Sequence, residues 1–158
     1  MKECFSCGGG NLSQKLDNDI KNFGFSVIGT TTETSDGSNT TLCYSIGFTE
    51  TLDQPEIVTF GLDPKIAHVF INQIYNAQKN GEVFEPGVEY DQFAQGYPSK
   101  FKPVPSRNYH THLIQASHRY LEKKLPFKAM YFVHPDPEGK WPEESDHPMY
   151  KELYKLMN

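Results

Sequence analysis

The run over residues 42–80 constrains this chain more than any other stretch. LCYSIGF, TETLDQP, EIVTFGLDP and KIAHVFINQIYNAQKN read in order as strand, polar loop, strand, tight turn and amphipathic helix. Glu56–Phe60 is short and apolar, the pattern of a strand buried on both faces. Gly61 breaks it, Asp63 is placed to cap a helix, and Pro64 suits the first helical turn. Ile66, Val69, Phe70, Ile74 and Ala77 mark the buried stripe of that helix, and Gly81 ends it.

The flanking sequence extends the pattern. Leu12, Leu16, Ile20 and Phe23 recur at near-helical spacing, so residues 13–23 predict a helix stopped by Gly24. Residues 25–31 are rich in β-branched side chains, and residues 33–39 are turn chemistry centred on Asp36-Gly37, which joins them to residues 42–48 as a hairpin. Residues 88–90 read as a brief strand. Residues 101–105 carry two prolines and read as an edge strand or extended connector. Residues 108–124 read as one helix, residues 129–133 as a central strand, and residues 149–157 as a closing helix. The expectation is one α+β domain over residues 1–158, its mostly antiparallel sheet covered on one face by helices. Residues 1–11 are expected to form an irregular Cys-x-x-Cys lead-in and residues 134–147 a proline-rich loop.

A formal net charge of −5 argues against general nucleic-acid binding, while leaving room for a local basic patch. No apolar run reaches bilayer length and the first residues lack a signal core, so a soluble cytoplasmic protein without a membrane partner is expected. Three cysteines make no disulfide framework. Homo-oligomer formation is left open.

Several local motifs have a family likeness. Tyr44-Ser45-Ile46-Gly47-Phe48, Gln54-Pro55-Glu56 and Phe60-Gly61-Leu62 resemble, in order and spacing, the signature of domain-of-unknown-function family 4262. Asn80-Gly81, Phe84-Glu85-Pro86-Gly87 and the late segment from His134 to Pro142 continue the likeness, as does the early Cys-x-x-Cys. His134 departs from the tryptophan usual there, and residues 106–124 match no family pattern. The resemblance implies no established reaction.

Function is therefore argued from side chains. Cys4 and Cys7 have the spacing of half a zinc site or of a redox pair, but no second Cys-x-x-Cys completes four ligands. The densest chemistry is Arg107, His110, His112, His118, Arg119 and Tyr120. On a helix His110 and His112 point roughly opposite ways, which makes a poor chelate. Arginine forks onto phosphate, and a histidine pair can act as acid and base. The bland alternative is a half-exposed helix that tolerates its histidines. His68 sits near a helix start that could hold an anion, or is a boundary histidine. The acidic residues at 136–146 read as a solvated loop, and Trp141 as its pin. Phosphate-binding, dinucleotide, zincin and serine-hydrolase motifs are all missing.

The reading this favours is a domain that binds a small anionic ligand, nucleotide-derived or other, as a sensor or a sequestering protein. Tyr44, His68, Arg107, His110, His112 and Arg119 are the expected contacts, with His110 and His112 as the catalytic candidates should the protein be an enzyme. Three alternatives stay open: a histidine-based hydrolase or phosphodiesterase, a flavin-associated domain like a split barrel, and a protein–protein inhibitor or immunity module. The sequence requires no cofactor; flavin and zinc, the latter on Cys4 and Cys7, are the two it leaves open.

Overall fold

A computed structural model describes residues 12–158; Cys4, Cys7 and the expected lead-in lie outside them. The hairpin forms as expected. Strand β1 (Ser26–Glu33) pairs antiparallel with β2 (Asn39–Ile46), from Ser26 opposite Ile46 to Glu33 opposite Asn39. Asp36 closes the turn by accepting from the Ser38 N–H at 3.0 Å and the Ser38 hydroxyl at 2.6 Å. Those donors, with Thr34, hold its carboxyl down at about 2.

Strand β3 (Glu56–Phe60) runs antiparallel to β2 and parallel to β5 (Ala129–Val133), and β5 pairs antiparallel with β4 (Lys100–Pro103). The order is β1-β2-β3-β5-β4, a mixed and mostly antiparallel sheet with β1 and β4 at its edges. This is an α+β domain. The sheet is open, so the likeness to a closed split barrel does not extend to the fold.

The helices correct the expected layering. One core joins Leu16, Tyr44, Val58, Tyr120, Tyr131, Tyr150 and Leu153, which places α1 (Leu12–Phe23), α5 (Ile114–Glu122) and α6 (Pro148–Met157) on one face. A second core joins Cys43, Ile57, Phe101 and Phe132 to Ile71 and Ile74 of α3 (Pro64–Lys79), with Phe84 and Phe93. Both faces are therefore covered, as the uniform burial of β3 and β5 demands. Each such large apolar side chain contributes about 1.5–3 kcal/mol when taken out of water. Among the described residues no helix is long and apolar enough to cross a membrane.

Three local expectations also change. The loop after β2 begins with a short helix, α2 (Phe48–Leu52). Its start is organised by Glu56, which is wholly buried and accepts from the N–H groups of Gly47, Phe48 and Thr49 at 3.3, 3.2 and 3.0 Å. The hydroxyls of Ser45 and Tyr120 add bonds at 2.7 and 2.6 Å. Gly47 itself needs glycine: its φ is 126°, and a Cβ would meet Gly24 O and Phe25 Cα, each at 2.7 Å. Residues 88–90 make only an isolated bridge, Tyr90 to Ser99. The expected helix over 108–124 is broken at Leu113 (φ −127°) into α4 (Tyr109–His112) and α5, after a 3-10 turn at Ser106–Asn108.

Candidate functional site: a basic and aromatic cleft at the sheet edge

Alternation along β4 sends Phe101 into the second core and turns Lys100 and Lys102 together toward the other face. Register sets Lys100 opposite Val133 and Lys102 opposite Tyr131, at the sheet margin beside α6. There the two lysines line a cleft of about 480 Å³ with Pro86, Pro103, Trp141 and Tyr154. That volume lies in the range of small-molecule sites. A groove between α1 and α5 is smaller, about 260 Å³.

Each lysine is held by an aromatic ring. Lys100 Nζ lies 4.1 Å from the Trp141 ring centroid, and Lys102 Nζ lies 5.5 Å from that of Tyr154. Lys102 also donates to Asn158 Oδ1 at 2.6 Å. Among the described residues neither ammonium forms an ion pair. Burial pushes the Lys102 pKa down, and the charge of Glu143 in part offsets this. Arg107 donates to the main-chain oxygen of the same Asn158, which brings a third cation to the end of α6. An acidic protein thus carries a local cluster of three cations beside two aromatic rings.

The six residues expected from sequence do not share one cavity. Arg107 alone reaches the neighbourhood of this cleft. Tyr44 is buried, its hydroxyl accepting from the Gln115 N–H at 3.0 Å. His112 is buried against Phe60 and hydrogen-bonded to the Tyr131 hydroxyl at 3.0 Å, whereas His110 is exposed. The two imidazoles therefore do not face one another across a cleft. Arg119 forks onto Glu50 at 2.7 and 3.1 Å and reaches Asp17 at 2.9 Å, which satisfies its guanidinium. His68 belongs to α3, on the opposite face of the sheet, packed against Phe25. Burial holds both His68 and His112 below the usual imidazole value. Among the described residues no group of three or more histidines, cysteines and carboxylates could hold a metal ion.

Lys100, Lys102 and Tyr154 escaped the sequence reading, and Trp141 and Glu143 entered it only as a loop's pin and its solvated charge, because the five come from three separate segments that only β4–β5 pairing and α6 packing unite. One signal was present: Lys-Phe-Lys on an edge strand buries the phenylalanine and sends both lysines to one side.

The fold and the cleft define an α+β domain with helices on both faces of an open mixed sheet and a cationic, aromatic-walled recess at one margin. The family model for the domain of unknown function DUF4262 matches residues 19–148 of the 158-residue chain. The chain belongs to that family. No curated protein and no solved structure matches it.

Proposed function

We propose that this chain is a cytoplasmic small-molecule-binding domain, a sensor or sequestering protein, whose ligand joins an anionic group to a planar ring as a nucleotide does. One observation carries the reading: Lys100 and Lys102 are set over aromatic rings in a cleft where, among the described residues, no carboxylate makes an ion pair with either. An ammonium so placed is already partly desolvated and oriented, which lowers what an incoming phosphate must reorganise. Pro86, Pro103 and Val133 offer apolar walls to a ring, and Arg107, which shares Asn158 with Lys102, adds positive charge nearby.

Trp141 is the sole tryptophan and lines the cleft, so its emission reports occupancy directly. Titration with nucleoside monophosphates is expected to change that emission saturably, less strongly at high salt. Lys102→Ala should weaken binding about tenfold or more, the loss of one charge-assisted contact. His110→Ala, at an exposed site outside the cleft, should bind like the parent protein. No change in Trp141 emission with any nucleoside monophosphate at millimolar concentration would defeat the reading.

A further inference from the structure

The cleft contains one residue that an anion site does not need. Among the described residues Glu143 is its only lining carboxylate, in a recess otherwise walled by lysines, aromatic rings and apolar groups. It is exposed, and it accepts no hydrogen bond and makes no ion pair among the described residues. Its negative charge nevertheless reaches Lys102. A carboxylate there opposes anion capture unless the ligand brings hydrogen-bond donors to it. We propose, resting on the nucleotide-binding reading above, that Glu143 selects a guanine base, with the phosphate held by Lys100 and Lys102.

The chemistry follows from the base edges. Guanine presents N1–H and an exocyclic N2–H side by side, and an ionised carboxylate accepts both in a two-pronged pair. Hypoxanthine keeps the N1–H and lacks the second donor. Adenine places a bare acceptor nitrogen at that position, so its lone pair meets the carboxylate oxygens and the two repel. The three monophosphates share one ribose and one phosphate, so differences among them isolate the base. Lys100, held against Trp141, ties the cation pair to the same loop that carries Glu143 two residues further on.

The experiment is titration of the whole chain with guanosine, inosine and adenosine monophosphates, read by Trp141 emission and checked by calorimetry. Guanosine monophosphate is expected to bind about ten- to a hundredfold more tightly than adenosine monophosphate, with inosine monophosphate between them. Glu143→Gln should bring guanosine monophosphate close to the adenosine level and leave the adenosine affinity unchanged or improved. Glu143 is at the surface, so that variant should fold. Equal binding of all three nucleotides, or a guanine preference that survives Glu143→Gln, overturns the assignment of Glu143 and leaves the cleft's anion site standing. Binding of none of them overturns both.

Discussion

The Ile57 N–H donates to the Ser45 hydroxyl at 2.9 Å and the Gly47 N–H to the Tyr120 hydroxyl at 3.0 Å, so both hydroxyl protons point at Glu56. With three main-chain N–H groups also aimed at it, Glu56 has donors on every side and is placed as an ionised acceptor. Burial pushes its pKa up, and Tyr120, Thr49 and Ser45 pull it back. Glu56→Gln turns an N–H₂ group toward these donors and strands at least one of them. The expected cost is about 3 kcal/mol, read as a lowered urea midpoint with unchanged slope. A variant as stable as the parent would mean that Glu56 is protonated in the fold. The motif around Tyr44 and Glu56 thus has a structural explanation: it builds the turn into α2 and holds Tyr120 against the sheet.

Arg119 acts between elements, tying α5 to Glu50 of α2 and to Asp17 of α1. Its side chain is 9% exposed and that of Glu50 17%, so water screens their pairing weakly. Arg119→Lys keeps the charge but cannot reproduce the two-pronged geometry, and should cost about 1–3 kcal/mol in chemical unfolding. A variant within error of the parent would reduce the contact to an ordinary surface pair. At this scale the sequence was informative wherever the cause of an element is local. Asp63 caps α3 through the Lys65 N–H at 2.9 Å with Pro64 beside it, as the order of those residues announces. Asp36-Gly37 likewise declares the hairpin. Helix α2 was hidden because its N-terminal N–H groups are satisfied by Glu56, a partner that only strand pairing supplies. The break at Leu113 was hidden because that residue is buried by tertiary packing and carries no local stop signal. The layering was half legible: a β3 buried on both sides already required cover on both sides. The cleft was not legible, because its residues meet only through the sheet.

At the scale of the molecule, three histidines share one thermodynamic consequence. Burial holds His68, His112 and His134 below the usual imidazole pKa of about 6.5. Below that value the unfolded chain takes up protons that the folded chain refuses, so stability falls as pH falls through this window. The thermal midpoint should drop between pH 7.5 and 5.5, before the carboxylates titrate. A midpoint that stays level or rises over that range would contradict neutral burial of these rings. The strand order bears on how the protein comes into being. Because β5 lies between β3 and β4, residues 100–103 leave the ribosome with no ladder neighbour and must wait for residues 129–133. Tyr154 follows later still. During synthesis the hairpin half can settle early, whereas the recess is the last region completed, its walls meeting only after translation has passed α6.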